Sequence, residues 1–347
     1  MKNENTIEEV KKEEEIETEV QNNGEPVDNL ENNKVEEPVF PPDEVTEVTN
    51  SNLKEVEKSR EEFSKTYKKV KFLKWPILIA AVSLMIVAFL VIPNVITGEE
   101  NKTLQVTLMV VLAVLALMIM LSDTFITKRY FNKKVTKYFD VYYSNIDNYI
   151  FSQEGVNIES VRPNDHIEAA QFTTANIYKD IAQVVSRGLV ELKLHDLNVL
   201  ACDCSGQTPK EKRFIPVFVG KYLISPAKYT GSEVIIYLKG DKRSLPPTNT
   251  ENYKLVLDDK RVSVYSNDTN WKKVFSTKFK TELFKLKTNK TYVDMAISVK
   301  DGSAYFCLGL DDEAMTVPLE NPLVEAVYKR EKEAISYVFQ LIELLNE

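Results

Sequence analysis

The sequence predicts an α+β protein: a two-helix transmembrane hairpin followed by a cytosolic domain with a mainly antiparallel sheet and a C-terminal helix. Two apolar runs, residues 76–96 and 104–121, lie seven residues apart and are each long enough to cross a hydrocarbon core as a helix. After about residue 155, short runs with a strand-like period alternate with turn signals. Only two helical patterns follow among them, and one is close to the C-terminus, which favours α+β over α/β.

The first 50 residues form a separate acidic segment. They contain 16 acidic and 4 basic side chains, so that the net charge of −8 for the whole chain hides a slightly basic remainder. Few apolar residues are available to offset the entropy of ordering the chain. We predict a disordered, solvated tail over residues 1–50. The alternative is an acidic interaction tail that docks on a basic partner or on the protein's own basic face.

Residues 51–75 have the pattern of an amphipathic juxtamembrane helix. Its apolar positions fall in a three-and-four register, with Arg60 in the one polar slot of the stripe. The apolar positions are Leu53, Val56, Phe63, Tyr67 and Val70. Such a helix could self-associate over about two heptads as a coiled coil, or lie on the bilayer surface.

Charges flanking the two apolar runs predict their orientation in the membrane. The connection Thr97–Thr103 has Lys102 against Glu99 and Glu100, whereas both outer flanks are strongly basic. The flanking cations are Lys65, Lys68, Lys69, Lys71 and Lys74 before the first run, and Lys128, Arg129, Lys133, Lys134 and Lys137 after the second. By the positive-inside rule, both termini are cytoplasmic and the protein is a multi-pass membrane protein. Neither run has an ionisable group at mid-membrane, which favours an anchor over a conduit.

A helical connector is predicted at 127–152, followed by a cytosolic α+β domain at 153–347. Apolar and aromatic residues of the connector recur at helical spacing from Phe131 to Ile150, as expected for a core-facing stripe. The predicted strands are Leu189–Leu194, Leu197–Cys202, Phe214–Val219, Glu233–Leu238, Tyr253–Leu257, Arg261–Tyr265, Tyr292–Val299 and Ala304–Leu310. The predicted helices are Asp268–Lys287, capped by Asp268 or Thr269, and Pro322–Leu345, capped by Asn321.

The best candidate metal ligands are Cys202 and Cys204 with His195 seven residues earlier. Strand alternation would place both sulfurs on one side of a strand, within reach of a soft ion. The alternative is packed thiols beside a solvated histidine, because C-x-C is not a usual zinc spacing. Three cysteines are an odd number, which indicates reduced thiols. The acidic run Asp311–Glu313 is a weaker candidate for a divalent ion, with a solvated loop as the alternative.

A basic face is predicted on the helix that follows Asp268. It contains Lys272, Lys273, Lys278, Lys280, Lys285 and Lys287. Such a face could bind anionic headgroups, attract the acidic tail or RNA, or simply be solvated. No nucleophile elbow, phosphate-binding loop or zinc-protease motif occurs in the chain, so we predict no catalytic residue and no cofactor.

Several short motifs resemble those of a bacterial family of unknown function. Val264, Tyr265 and Ser266 end a predicted strand and Asp268 follows, ahead of a helix. Phe218-Val219-Gly220 and Gly188 resemble two further elements of the same pattern. The chain from about residue 130 to 345 therefore resembles the domain-of-unknown-function family number three-one-three-seven, sometimes labelled galanin-like. This resemblance implies a membrane-anchored cytosolic domain in a bacterial cell membrane and no established activity.

The function expected from the sequence is a membrane-anchored interaction or scaffold module. Its partners would be the lipid bilayer through residues 76–121, together with a protein partner, a second copy or anionic headgroups; nucleic acid is not expected. The alternative is a membrane-tethered metal-dependent enzyme or metal sensor that uses the Cys202, Cys204 and His195 region.

Overall fold

The computed structural model describes residues 48–96, 98–211, 213–238, 250–286, 292–311 and 315–347, without the side chains of residues 73, 74, 99 and 122–130. All but the last three residues of the predicted acidic tail lie outside this description. So do Lys287 of the predicted basic face and residues 312–313 of the acidic run.

Two long helices begin the described chain. Helix α1 has three consecutive parts. They are an α-helical part, Ser51–Ile86, a π-helical segment, Val87–Val91, and a last α-helical turn, Ile92–Val95. Helix α2, Lys102–Phe151, is continuous over 50 residues. The sequence pattern predicted a span at 104–121 and a helical connector at 127–152, and in the structure one helix contains the span and all but the last residue of the connector. No glycine or proline occurs between residues 102 and 151, so nothing in the backbone interrupts the helix.

The apolar parts of α1 and α2 pack on each other through small side chains and expose large ones. Ala81, Ala88 and Ala116 are buried between them, which lets the backbones approach closely. The outward faces expose large apolar side chains such as Leu90, Leu117 and Met118. Both helices contain an 18-residue window with a mean hydropathy of 2.7, of which 17% and 6% are buried. Both are therefore long and apolar enough to cross a membrane.

The polar ends of α1 and α2 pack antiparallel through aromatic rings. The ring of Phe63 is 5.3 Å from that of Tyr138 and 5.6 Å from that of Phe131, and Tyr67 is also 5.6 Å from Phe131. Arg60, in the polar slot of the stripe, is buried. It pairs with Glu57 at 2.6 Å and donates to the carbonyl of Glu320 at 2.9 Å. This contact fixes α1 to the C-terminal half of the chain.

Among the described residues after α2, nine strands form one antiparallel sheet, as the sequence predicted in its main features. The strands are β1 (Val156–Arg162), β2 (Gln183–Leu194), β3 (Leu197–Lys210), β4 (Arg213–Pro226), β5 (Val234–Leu238), β6 (Leu255–Asp258), β7 (Val262–Ser266), β8 (Tyr292–Lys300) and β9 (Ser303–Leu310). Their order in the sheet is β1-β2-β3-β4-β9-β8-β5-β7-β6, and every neighbouring pair is antiparallel.

Each of the eight predicted runs lies on a strand, but β2, β3 and β4 are 12 to 14 residues long and extend beyond the predicted ends. Most of the additional residues of β2 and β3 are polar or exposed, and the added part of β4 contains Gly220 and the buried Lys221, which interrupt its apolar pattern. Strand β1 was not predicted, because a bulge between Ile158 and Ser160 breaks its alternation. The short helix α3, Ala169–Thr174, was also not predicted.

The predicted helix Asp268–Lys287 is wrong in its first half. A 3₁₀ turn, Trp271–Lys273, precedes a short helix α4, Thr277–Leu283. Ser276, not Asp268, caps α4 by accepting the backbone N–H of Phe279 at 3.2 Å. The carboxylate of Asp268 instead accepts the N–H of Asn270 at 2.8 Å, which favours a turn over a helix start.

The C-terminal helix α5, Glu325–Leu344, is confirmed but begins three residues later than predicted. Residues 318–323 are not helical, and side chains of α1 and α2 bind their backbone groups. Tyr138 donates to the carbonyl of Pro318 at 2.6 Å, and the carboxylate of Glu57 accepts the N–H of Leu323 at 3.1 Å.

Helices α2, α4 and α5 cover one face of the sheet, which we call the helix face. Aromatic residues around α3 cover part of the opposite face, which we call the thiol face because it contains all three cysteines. Helices α2 and α5 run in the same direction, since Tyr142 contacts Tyr328 and Phe151 contacts Phe339.

The C-terminus of α5 marks one end of the sheet. Glu343 contacts His195 at 2.8 Å, and Asn346 donates to the carbonyl of Pro226 at 2.9 Å. We call this the far end. The opposite, near end faces the side from which the apolar half of α2 enters the domain.

Candidate functional site: a buried ion cluster between helix α2 and the sheet

Four charged side chains meet on the helix face at the point where α2 crosses the sheet. The Nζ atom of Lys221 on β4 is 2.8 Å from Asp147 Oδ1 on α2 and 2.6 Å from Asp203 Oδ1 on β3. It is also 3.6 Å from Glu331 Oε1 on α5. Only 2% of the Lys221 side chain is exposed. We call these four residues the ion cluster; they connect α2, two central strands and α5.

Register and helical spacing explain why these residues meet. Asp203 and Lys221 are direct partners in the antiparallel pairing of β3 with β4, so their side chains lie on the same face. Asp147 lies one residue after Ile146 on the buried stripe of α2, and Glu331 lies one turn after Tyr328 on that of α5. Each of the four elements therefore places one ionisable side chain in the otherwise apolar layer between the helices and the sheet.

A glycine allows α2 to approach the sheet closely. Gly188 on β2 has φ = +69°, and a Cβ atom there would lie 2.9 Å from Tyr143 Cδ1 and 3.1 Å from Asp147 Oδ2. Any larger residue would push α2 away from the sheet and strain the backbone. Gly188 is one of the residues on which the resemblance to the family of unknown function rests, and in this structure it has a steric role beside the ion cluster.

Aromatic groups line the ion cluster on the side of α2 and α5. The hydroxyls of Tyr142 and Tyr328 are 3.2 Å apart and both rings are buried. The ring of Phe151 lies 5.6 Å from Lys221 Nζ, within the range of a cation–π contact. The low local dielectric strengthens the ion pairs and also makes any unpaired charge there costly.

Burial shifts the pKa values of two of the cluster carboxyls upward. Burial raises the pKa of Glu331 to about 8 and that of Asp147 to about 6, although Lys221 opposes both shifts. Burial alone would lower the pKa of Lys221, but the three nearby carboxylates outweigh it and raise that pKa well above its usual value. Near neutral pH, Lys221 is therefore charged and Glu331 keeps its proton. This removes one of the three negative charges that would otherwise face a single cation.

The predicted metal ligands do not come together with His195. Cys202 and Cys204 point to the thiol face, where both are buried, whereas the side chain of His195 is 63% exposed at the β2–β3 turn and contacts Glu343. The pKa of Cys202 is raised well above its usual value by the hydrogen bond to Cys204 and by burial. Burial does the same for Cys307, so neither thiol favours the thiolate that binds metals. No group of three metal-ligating side chains occurs among the described residues.

The described lysines of the predicted basic face lie around α4, and three of them have anionic partners. Lys278 contacts Glu347 at 2.9 Å, Lys280 contacts Asp259 at 3.1 Å and Lys285 contacts Glu282 at 2.7 Å. Lys272 lies 5.7 Å from the ring of Trp271. The contact between Lys278 and the C-terminal residue Glu347 places the beginning of this face at the far end of the sheet.

Asp268 of the family motif holds two loops together. Its carboxylate accepts the hydroxyl of Tyr229 at 2.5 Å and the N–H of Ser232 at 3.2 Å, and Ser266 Oγ accepts its N–H at 3.0 Å. Gly220 of the same motif lies against the backbone of Leu308 on β9, where a Cβ atom would overlap the carbonyl oxygen. These motif residues have conformational roles in this chain.

Sequence reasoning missed the ion cluster, although its members left a weak signal. Glu331 occupies the one gap in the apolar stripe of α5, and Lys221 interrupts an apolar strand. A charge at a core position usually has a buried partner. The partner's identity depends on strand pairing, which a single sequence does not reveal. Asp203 was considered only as the residue between two cysteines.

Comparisons with known proteins do not identify the chain. No protein family and no curated protein matches it. Among solved structures, it is similar to the crystal structure of the mycobacterial trehalose monomycolate transport factor A, TtfA. The match covers 58% of this chain and 95% of that chain at 9% identity, with a TM-score of 0.33. A likeness at this level supports no statement about fold or function.

Proposed function

We propose that the protein is a membrane-anchored interaction module: the apolar parts of α1 and α2 span the bilayer as a hairpin and present the α+β domain on its cytoplasmic side. The observation that carries this proposal is the pair of apolar helices with exposed outer faces. In water, so many exposed large apolar side chains would favour aggregation, whereas a hydrocarbon environment stabilises them.

The continuity of α2 favours a fixed anchor over a flexible tether. The same helix that supplies the second proposed span continues to Phe151 and contributes Asp147 to the ion cluster. A helix without a break transmits its orientation to whatever it packs against. The domain would therefore be held at a defined height and angle relative to the bilayer, as a scaffold requires.

The basic flanks described above favour the cytoplasmic orientation, and the lysines around α4 favour a protein partner. Because this basic segment begins at the far end of the sheet, it would face the cytosol and not the bilayer that α1 and α2 span. An acidic surface of a partner, or the protein's own residues 1–50, would complement it.

Labelling of single introduced cysteines tests the anchor and its orientation. All three native cysteines are buried and should react slowly, so the native protein is the low-background control. Glu100→Cys lies in the short connection between α1 and α2, and Glu154→Cys lies directly after α2; both positions are exposed. A maleimide that cannot cross the membrane is applied to intact cells and, separately, to lysed cells.

We expect Glu100→Cys to react in intact cells and Glu154→Cys to react only after lysis. Reaction of both variants in intact cells, or of neither, contradicts the proposed topology. Recovery of the protein in the soluble fraction after lysis without detergent contradicts the membrane anchor itself.

A further inference from the structure

The hairpin of strands β3 and β4 extends beyond the rest of the sheet and ends in an exposed apolar and basic tip. Residues 209–211 and 213–216 are all exposed. Phe214 is 54% exposed and Ile215 is 40% exposed, and they lie between Lys210 and Arg213 on one side and Pro216 on the other. We call Pro209–Glu211 together with Arg213–Pro216 the hairpin tip; its two cations, Lys210 and Arg213, outnumber its one anion, Glu211. Exposed large apolar residues beside cations at the end of an arm are typical of surfaces that bind anionic membranes.

The base of this arm is packed, whereas the tip is not. A Cβ atom at Gly206 would lie 2.7 Å from the Phe172 ring of α3, and Phe218 stacks on Tyr178 at 5.6 Å. The carbonyl of Gln207 accepts the N–H of Ala182 at 3.0 Å. These contacts hold the arm in place up to Gln207 on β3 and Phe218 on β4. The apolar side chains that follow have to be solvated or covered by something outside the domain.

The tip lies at the near end of the sheet, toward the apolar parts of α1 and α2. Along α5, Glu331 contacts Lys221 and Asn346 contacts Pro226, so α5 runs along β4 toward the far end. The tip lies in the opposite direction from Lys221. Helix α2 runs parallel to α5, and its apolar half therefore lies on the same side as the tip.

Distances along the two elements bring the tip near the bilayer surface, and a tilted α2 would bring it into contact. From Asp203 in the ion cluster to Lys210, β3 extends by about 23 Å. From Asp147 to Leu121, α2 extends by about 39 Å. The tip backbone therefore ends about 16 Å short of the level of Leu121, and the headgroup layer occupies roughly 5–7 Å of this difference. The side chains of lysine and arginine extend beyond the backbone toward the headgroups, and a tilt of α2 of about 20°, the average for membrane helices, lowers the laterally displaced tip across the rest.

We propose that the hairpin tip docks on the anionic surface of the bilayer that α1 and α2 span, with Phe214 and Ile215 in the headgroup region and Lys210 and Arg213 beside lipid phosphates. This inference rests on the proposed membrane anchor. It adds a second contact with the lipid, at a lateral distance from the first, which would fix the tilt of the domain.

An environment-sensitive fluorophore at the tip tests this contact in the full-length protein. The dye is attached to Phe214→Cys, and the protein is incorporated into nanodiscs that contain anionic or only zwitterionic lipids with spin-labelled headgroups as quenchers. Leu255→Cys is the matched control, because Leu255 has a similar exposure, 51%, on edge strand β6. Its pairing partner on β7, Tyr265, lies at the far end of the sheet, so Leu255 is distant from the near end where the hairpin tip lies. The buried native cysteines should remain unlabelled.

We expect the dye at Phe214 to be quenched strongly in anionic nanodiscs and the dye at Leu255 hardly at all. Replacing Lys210 and Arg213 together with glutamine should lower the docked-to-free ratio by roughly 20- to 30-fold, since each cation near an anionic surface contributes about one factor of five. Equal quenching at both positions, or no effect of the double replacement, overturns the docked tip.

The outcomes also separate this inference from the membrane anchor. A protein that enters the nanodiscs but shows no quenching at Phe214 retains its anchor and lacks the second contact. A protein that does not enter the nanodiscs contradicts the anchor, and the tip proposal falls with it.

Discussion

The two faces of strand β3 differ in how their side chains are buried, with ion pairs on one face and apolar packing on the other. On the helix face, Asp203 pairs with Lys221 beside two further carboxyls from α2 and α5. On the thiol face, its neighbours Cys202 and Cys204 lie among aromatic rings, away from any ion pair described above. Adjacent residues of one tripeptide thus enter an ionic layer and an apolar layer. We infer that the ionic layer fixes how α2 sits on the sheet, whereas the thiol layer contributes ordinary packing.

The largest expected effect comes from removing the cation. Lys221→Met leaves the carboxylates of Asp147 and Asp203 without their counter-ion, and we expect a loss of about 3–5 kcal/mol in the free energy of unfolding. Denaturant unfolding of the protein in nanodiscs measures it. Lys193→Met is the control, because its ion pair with Glu159 is solvent-exposed and its removal should cost less than about 1 kcal/mol. Similar losses in both variants would contradict the importance of the ion cluster.

The close approach of α2 to the sheet should be the next most sensitive feature. Gly188→Ala combines a positive φ with steric overlap of Tyr143, and we expect it to cost about 2–3 kcal/mol. Gly302→Ala shares the positive φ, but its Cβ would meet only the carbonyl of Ala227 at 3.8 Å, so about 1 kcal/mol is expected. The difference between the two variants isolates the contact with α2. If they are equally destabilised, that contact contributes nothing.

Glu331 should make the domain less stable as the pH rises. Its pKa in the folded state is about 8, above the value of 4.5 for a free side chain, so the folded protein binds more protons than the unfolded one between these values. The stability contribution is present below about pH 4.5 and is lost as the pH rises toward 8. Glu331→Gln should flatten this dependence and exceed the native protein in thermal stability at pH 8. A steeper dependence in the variant would contradict the assignment.

The smallest effect is expected on the thiol face. Cys204→Ala should cost about 1 kcal/mol, because it removes a small buried group and no charge. The native thiols should react with a disulfide reagent only when the domain unfolds, since burial disfavours the thiolate of Cys202 and Cys307. Fast reaction in the folded protein, or a stoichiometric metal ion lost on replacing Cys202 and Cys204, would give the thiol face a chemical role.

Local patterns predicted the elements of this fold, and non-local contacts decided what the patterns could not. The apolar runs, the antiparallel sheet and the C-terminal helix each follow from periodicity within one segment. The start of α5 and the break before α4 depend instead on partners such as Glu57 and Tyr229, which are distant in sequence. The ion cluster joins residues from four elements, and only strand register reveals that Asp203 faces Lys221. The spacing of the cysteines drew attention to Cys202 and Cys204, whereas Asp203 between them belongs to the ion cluster.

Hydrogen–deuterium exchange of the full-length protein in nanodiscs tests the central claim, that one unbroken helix joins the bilayer to the ion cluster. We predict continuous protection of backbone amides from the apolar half of α2 through to Phe151. We also predict that Lys221→Met lowers protection around Asp147 and leaves the apolar half unchanged. Rapid exchange between residues 122 and 134, with protected segments on both sides, would instead indicate a flexible hinge and would contradict the fixed anchor.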